Sequence, residues 1–201
     1  MFDRRLQAVL AQPLNAIAGD CERLGLSANQ VTVIGFGFGV LACLALALGQ
    51  PLMALVLFAL NRLADGLDGA LARRVGPTDL GGYLDITLDF LIYSGLVFAH
   101  AVAHPTDALM AAFLIFSFVG TGSSFLAYGI MDAKRGATGK PKEQSKAFTY
   151  LGGLTEGFET IVVLALIMLL PSYFFWIALV FGGLCWVTTA MRIAMAVRDF
   201  R

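Results

Sequence analysis

Six stretches of about twenty mostly apolar residues fill most of this chain. Apolar side chains make up 58% of its 201 residues, and the mean hydropathy of +0.78 lies above the range of soluble domains. A helix needs about twenty such residues to cross a bilayer. We therefore expect an all-α membrane protein with six transmembrane helices, at residues 30–49, 52–74, 80–103, 108–131, 148–170 and 173–197.

The six stretches predict one domain over residues 1–201, with a juxtamembrane segment at 1–25 and a six-helix bundle at 30–197. Residues 2–18 carry apolar side chains at helical spacing, which predicts an N-terminal amphipathic helix at the membrane interface. These side chains are Phe2, Leu6, Val9, Leu10, Leu14 and Ile17. A cytosolic helix packed on the bundle is the alternative. No cleavable signal peptide is expected, because the first residues carry charge and lack a continuous apolar core.

Basic residues predict the orientation. Among the fourteen Lys and Arg residues, only Arg62 is assigned to the interior of a span, and the others fall near the ends expected to share one side of the membrane. The positive-inside rule then places both termini in the cytosol, with a bacterial inner membrane as the expected location. The net charge of zero gives no indication of nucleic-acid binding. The three cysteines lack the spacing of a zinc site.

Four carboxylates interrupt the second and third apolar stretches. Asp65 and Asp68 lie three residues apart, and Asp85 and Asp89 lie four apart, so each pair shares one face of its helix. Helix rise places Asp65 roughly 21 Å from Pro51, in the cytosolic third of the bilayer. Two such faces turned toward each other form an oxygen cage that suits Mg²⁺ or Mn²⁺. Because uncompensated carboxylates are unstable at low dielectric, the sequence predicts bound cations.

The acidic run resembles the signature of the CDP-alcohol phosphatidyltransferase family. The matching residues are Asp65, Asp68, Gly69, Ala72, Arg73, Gly81, Asp85 and Asp89. The segment between Arg73 and Gly81 is one residue shorter than in the family pattern. The resemblance implies a metal-dependent enzyme of phospholipid synthesis, which transfers a phosphatidyl or related group from a CDP-linked lipid, such as CDP-diacylglycerol, to an acceptor alcohol and releases CMP. It also implies two bound ions and a homodimer.

The resemblance also assigns roles. Asp65, Asp68 and Asp85 are assigned to the metal ions, and Asp89 is assigned both as a metal ligand and as the general base. Gly69 and Ala72 are small residues on the same face, which lets a nucleotide approach the backbone closely.

Four further residues complete the expected donor site. Arg73 is the expected bidentate contact to phosphate. Asn29 and Thr32 lie in a segment similar to the start of the family's first span, and Thr78 aligns with a hydroxyl that contacts the donor. Asn29 or Ser27 could equally serve as the N-cap of the first span.

The fifth span adds Glu156 and Glu159, which lie one helical turn apart and at a depth comparable to that of Arg62. Intramembrane ionisable residues pair with each other or line a cavity. We expect Glu159 to pair with Arg62 and Glu156 to face the acceptor pocket, with both glutamates as candidates for that pocket. The identity of the acceptor alcohol stays open.

Two further features of the sequence bear on packing and on the class of protein. Gly35 and Gly39 in the first span form a small-xxx-small face, which predicts close helix packing. A divalent-cation transporter or channel is the alternative function, because acidic clusters also line ion pathways. The acids crowd one side of the membrane next to Arg73, and this favours the enzyme.

Overall fold

The structure is a computed structural model that describes residues 2–137 and 157–200, with side chains described within 12–135 and 157–200. Every regular element in these ranges is helical, which confirms the predicted all-α class for the described residues. The α-helices are α1 (Phe2–Arg23), α2 (Ala28–Ala47), α3 (Pro51–Val75), α4 (Asp79–Ala103), α5 (Ala108–Ala137), α6 (Gly157–Leu169) and α7 (Phe174–Asp199). Short 3₁₀ turns lie at Pro105–Asp107 and Pro171–Tyr173.

Among the described residues, four helical segments are long and apolar enough to cross a membrane, namely Ala28–Ala47, Asp79–Ala103, Pro105–Arg135 and Pro171–Asp199. They present large apolar side chains outward, such as Val33 and Leu44 on α2, as lipid-facing helices do. Helix α3 is 25 residues long but carries Arg62, Asp65 and Asp68 close together, and the described part of α6 has 13 residues. The spans support a membrane protein, whereas the count of six remains a prediction.

Local signals set the helix ends around the acidic run. Helix α3 begins at Pro51, whose missing N–H is tolerated at a first helical position. It ends at Val75 and is followed by the C-cap Gly76, whose φ of 103° lies in the region that favours glycine. Thr78 then caps α4, because its hydroxyl accepts a hydrogen bond from the Gly81 N–H at 3.0 Å. This short connection brings the first turns of α4 directly after the end of α3.

The described chain divides into two compact units, Met1–Pro105 and Thr106–Arg201. In the first unit, α2 packs against α3 and α4, and α1 packs against α3. In the second unit, α5 packs against α7. The four aspartates of the predicted metal site, Asp65, Asp68, Asp85 and Asp89, all lie in the first unit.

Glycines allow α2 to approach its two neighbours closely. A Cβ atom on Gly35 would lie 2.7 Å from the Cβ of Ala64, and one on Gly39 would lie 2.6 Å from the Cδ1 of Ile92. Both distances are shorter than carbon atoms tolerate, so a Cβ on Gly35 would collide with Ala64, and one on Gly39 would require the Ile92 side chain to shift. A Cβ on Gly37 would meet nothing within 4 Å. The predicted packing face of Gly35 and Gly39 is therefore confirmed.

The later half of α1 lies against the first unit. Ala18 is fully buried, and the Cδ1 of Leu14 would lie 3.1 Å from a Cβ placed on Gly66 of α3. Arg74 donates a hydrogen bond through Nε to Glu22 at 2.8 Å, which ties the end of α1 to the end of α3. This half of α1 is packed on α3, as the alternative expected, and its placement at a membrane interface remains a prediction.

Candidate active site

Three carboxylates from two helices converge in the first unit. Asp65 and Asp68 extend from α3, and Asp85 extends from α4. Each offers an oxygen atom, and these oxygens all lie within 4.8 Å of one another. The helical spacing places the first two on one face, and the packing of α4 brings the third to them. The structure thus brings together three of the four predicted acids.

Asp68 is the most buried of the three. Its exposed fraction is 7%, and its Oδ2 atom is buried with no hydrogen-bond partner among the described residues. A buried carboxylate oxygen without a partner is energetically costly. A divalent cation held by Asp65, Asp68 and Asp85 would supply that partner, and three carboxylates form the hard oxygen set that Mg²⁺ and Mn²⁺ prefer. The residues present therefore fit the predicted metal.

Asp89 is bound by an arginine. Arg62 donates from Nη2 to Asp89 Oδ1 at 2.5 Å and from Nη1 to Asp89 Oδ2 at 2.9 Å. The Tyr93 hydroxyl accepts from Arg62 Nη1 at 2.7 Å and donates to Asp89 Oδ2 at 2.9 Å. Arg62 also lies 3.6 Å from Asp65. The predicted four-carboxylate cage is thus divided, with three acids grouped and Asp89 paired, and the part of Asp89 in metal binding remains a prediction.

The buried amide side chain of Asn61 also binds Arg62. Arg62 donates through Nε to Asn61 Oδ1 at 2.9 Å, and Asn61 Nδ2 donates to the Gly35 carbonyl at 2.9 Å. Asn61 is 4% exposed. The ring centroid of Phe58 lies 5.7 Å from the guanidinium carbon. These contacts connect α2, α3 and α4 through one continuous network, and the sequence pattern did not indicate Asn61 or Tyr93 as part of it.

A narrow cavity opens onto these groups. Its wall comes from α2, α3 and α4, and its lining residues are Thr32, Gly35, Phe36, Asn61, Arg62, Asp65, Asp68, Asp85, Leu88 and Asp89. Thr32 is the one predicted donor contact that lies in this wall. All four acids and Arg62 therefore face a common space.

The other predicted donor contacts lie around the starts of α2 and α4 and at the end of α3. Ser27 caps α2, with its hydroxyl accepting from the Gln30 N–H at 3.3 Å, so Asn29 is not the cap. The Oδ1 of Asn29 would lie 3.0 Å from a Cβ on Gly81, close to the N-cap residue Thr78. The donor contacts of Asn29 and Thr78 remain predictions.

The side chain of Arg73 folds back along α3. Its Nη1 would lie 3.4 Å from a Cβ placed on Gly69, so a glycine at this position leaves room for the guanidinium. Arg73 is exposed and Ala72 is partly buried. Arg73 is thus accessible for the predicted phosphate contact, one turn beyond Asp68.

The predicted acceptor residues belong to the other end of the sequence. Glu159 lies in the first turn of α6, in the second unit, and Glu156 lies outside the described residues. The partner of Arg62 within the first unit is Asp89, which the sequence pattern did not indicate. The pairing of Glu159 with Arg62 remains a prediction.

A second cavity lies within the second unit. Its volume is about 470 Å³, and Tyr128, Met131 and Arg192 are among the residues that line it. Arg192 is 8% exposed and donates to the Thr121 carbonyl at 2.9 Å. From the sequence, Arg192 was only one of the basic residues whose distribution predicts the orientation. In the structure its side chain is buried.

The acidic network lies within a stretch that matches a known family. Residues 26–191 match the family described as CDP-alcohol phosphatidyltransferase. The chain therefore belongs to the CDP-alcohol phosphatidyltransferase family, a class of membrane enzymes of phospholipid synthesis. The resemblance noted from the residues Asp65 to Asp89 is confirmed.

Two individual proteins are similar to this chain in sequence. The inner membrane protein YnjF of Escherichia coli (strain K12) is 48% identical over 194 residues, which are 96% of this chain and 94% of that protein. An archaetidylinositol phosphate synthase of Pyrococcus horikoshii is 35% identical over 99 residues, which are 49% of this chain and 53% of that protein. The inner-membrane relative and the apolar helices together support an integral membrane protein.

A solved structure shares the fold. Phosphatidylinositol phosphate synthase (PgsA1) of Mycobacterium tuberculosis, with CDP-DAG bound, is similar with a TM-score of 0.65 over 90% of this chain and 92% of that chain. The sequence identity between the two is 23%, so this likeness concerns the fold alone.

Proposed function

We propose that this protein transfers a phosphatidyl group from CDP-diacylglycerol, or a related CDP-linked lipid, to an acceptor alcohol and releases CMP. The proposal rests on the convergence of Asp65, Asp68 and Asp85, each of which places a carboxylate oxygen within 4.8 Å of those of the other two. These three residues match the family signature, and they lie within the stretch that matches the family. The CDP-DAG bound in the similar solved structure supports the choice of donor.

Asp65, Asp68 and Asp85 would hold Mg²⁺ or Mn²⁺, and the buried Oδ2 of Asp68 supports this assignment. The bound cation would neutralise charge on the diphosphate of the donor. Two ions are the expectation from the family resemblance, and titration of the purified protein with Mn²⁺ measures their number.

Asp89 is proposed as the general base. The hydroxyl oxygen of the acceptor forms a bond to the lipid-side phosphorus, the bond from that phosphorus to the CMP oxygen breaks, and the hydroxyl proton passes to Asp89. Its carboxylate lines the same narrow cavity as the three grouped acids, which supports a base beside the metal-binding group.

Arg73 is proposed to bind a phosphate of the donor, because it is exposed at the end of α3 and folds over Gly69. Asn29 at the start of α2 and Thr32 in the cavity wall are proposed to contact the cytidine part. Thr78, the N-cap of α4, is proposed as a further contact to the donor. Ala72 keeps the approach to α3 open.

The membrane arrangement belongs to the same proposal. We place both termini and the active site on the cytosolic side, in a bundle of six spans that forms a homodimer. Basic residues at the end of α3, Arg73 and Arg74, support this orientation. The alternative of a divalent-cation transporter gains no support from the comparisons.

An inositol phosphate is the first acceptor to test, because the relatives named above include synthases of inositol-containing phospholipids. Glu156 and Glu159 are the proposed residues of the acceptor pocket. The experiment uses purified full-length protein in detergent, CDP-diacylglycerol, Mn²⁺ or Mg²⁺, and separate alcohols: inositol phosphate, glycerol 3-phosphate, serine, choline and a lipid alcohol. Acceptor-dependent release of CMP supports the proposal, and its absence with every alcohol contradicts it.

A further inference from the structure

We propose that α1 positions residues 65–73 of α3, called the site segment below, so that its side chains are in place before metal and donor bind. Leu14 and Glu22 of α1 are the positioning residues, and neither is among the residues that line the narrow cavity. The inference rests on the proposed binding of a divalent cation and a CDP-linked donor by the site segment.

The site segment has little helical stability of its own. It contains Gly66 and Gly69, and glycine is a poor helix former because its backbone loses the most conformational freedom on folding. Asp65 and Asp68 lie one helical turn apart, where like charges repel each other in the absence of a cation. The segment therefore depends on contacts from outside α3 to stay helical before metal binds.

Helix α1 supplies apolar contacts to the site segment. Ala18 of α1 is fully buried in one cluster with Ala70 and Leu71 of α3, which are also fully buried. The Cδ1 of Leu14 would lie 3.1 Å from a Cβ placed on Gly66, directly after the first of the grouped carboxylates. Separating the helices would expose this apolar surface, so the contact favours the helical form of the site segment.

A charged contact directs the side chains at the end of α3. Arg74 donates through Nε to Glu22 at 2.8 Å. The two side chains are 43% and 42% exposed, so their pair contributes little stability by itself. It turns Arg74 toward α1, whereas Arg73 folds back along α3 over Gly69. Because a single nitrogen makes the contact, the pair needs a cation at position 74 rather than a guanidinium group.

The expected effect of α1 is on ligand binding more than on the chemical step. If the site segment is in place in only a fraction of the molecules, the apparent Kd of each ligand rises as that fraction falls. Once metal and donor are bound, the segment is in place and turnover proceeds as in the wild type. Unfolding of part of the protein population would instead lower kcat and leave KM unchanged.

The test compares Leu14→Ala and Glu22→Arg with the wild type, as purified full-length proteins. Leu14→Ala removes the contact with Gly66, and Glu22→Arg places a like charge beside Arg74. We expect the Kd of Mn²⁺, measured without substrate, and the KM for CDP-diacylglycerol each to rise by about fivefold, with kcat within about twofold of the wild type. In the metal-free variants, the amides of residues 65–73 should exchange hydrogen faster.

Two matched controls lie on the same helix. Ile17→Ala removes an apolar side chain that is 50% exposed, which makes it the control for Leu14→Ala. Asp20→Asn removes an acid whose carboxylate pairs with Arg23 within α1, away from α3. We expect both controls to keep the Mn²⁺ affinity and the amide exchange of the wild type.

Reversing the ion pair tests the role of Glu22. Glu22→Arg combined with Arg74→Glu should recover most of the Mn²⁺ affinity that Glu22→Arg alone loses, since the two side chains can pair again. Failure to recover would contradict the role of the pair.

Unchanged Mn²⁺ affinity and amide exchange in Leu14→Ala and Glu22→Arg would overturn the proposal, as would a fall in kcat without a rise in Kd or KM. A wild type that binds no Mn²⁺ would contradict the metal site of the proposed function. The exchange measurement needs neither metal nor donor, so it tests the role of α1 independently of that function.

Discussion

Arg62 on α3 and Asp89 on α4 meet in a two-point contact, with Nη2 2.5 Å from Oδ1 and Nη1 2.9 Å from Oδ2. This contact lies beside the group formed by Asp65, Asp68 and Asp85. The site therefore contains a paired carboxylate next to a group of three that fits a cation. The two arrangements suit the two needs of phosphoryl transfer, a proton acceptor and a neutralised diphosphate.

Asp89→Asn is expected to lower turnover by roughly 10²–10⁴-fold, which is the usual contribution of a general base. Binding of CDP-diacylglycerol should persist, because the three grouped acids are unchanged. Single-turnover CMP release and equilibrium donor binding measure the two effects, and a thermal melt checks the fold, since Arg62 loses an anionic partner. Normal turnover in this variant would mean that another group accepts the proton, and Glu159 is the next candidate.

Arg73→Lys is expected to weaken donor binding by about tenfold, because lysine does not form the bidentate phosphate contact of arginine. The matched control is Arg74→Lys at the next position, where the arginine pairs with Glu22 on α1. Donor affinity should stay unchanged in that control. An Arg73→Lys protein with the donor affinity of the wild type would show that positive charge alone suffices at this helix end and would contradict the bidentate contact.

The helix contacts of α2 predict a sharp contrast between neighbouring glycines. Gly35→Ala should destabilise the protein by about 1–3 kcal/mol, because the new Cβ would collide with the Cβ of Ala64. Gly37→Ala should be neutral or slightly stabilising, because a Cβ there meets nothing within 4 Å. Thermal unfolding in detergent measures both, and equal stability of the two variants would contradict the described packing of α2 on α3.

The sequence predicted much of this arrangement because the relevant signals are local. Helical spacing is enough to place Asp65 and Asp68 on one face, and the small-xxx-small pattern of Gly35 and Gly39 is enough to indicate a close contact. Apolar length likewise indicated the helices, since α2, α3, α4 and α7 begin and end within two residues of the predicted spans. Helix α5 ends six residues later than predicted, at Ala137, and the predicted start of the fifth span lies outside the described residues.

The partner of Arg62 required information that the sequence does not contain. Helix rise along the sequence gives only the depth of a residue in the membrane, and by that measure Glu156 and Glu159 matched the depth of Arg62. The choice of Asp89, 27 residues later in the chain, depends on how α4 is rotated about its axis against α3. The contact of Asn61 with Arg62 could not be predicted from the sequence either, because an amide in an apolar helix does not indicate which side chain it will contact.

Topology is tested by reporter fusions at the predicted turns. Fusions after Gln50, His104 and Pro171 should report the non-cytosolic side, and fusions after Gly76 and Gly139 should report the cytosol. The expectation follows from the distribution of basic residues along the chain. A cytosolic signal at His104 would overturn the six-span arrangement.

The most direct test of the account is CMP release from CDP-diacylglycerol by the wild type and by Asp68→Asn, each with Mn²⁺ and with EDTA, in the presence of the acceptor panel. Asp68 is chosen because its Oδ2 is buried without a partner among the described residues. We predict CMP release by the wild type only with added metal, and a loss on the order of 10³-fold in Asp68→Asn. Full activity in EDTA, or an Asp68→Asn protein as active as the wild type, would contradict a metal-dependent phosphatidyltransferase built on these carboxylates.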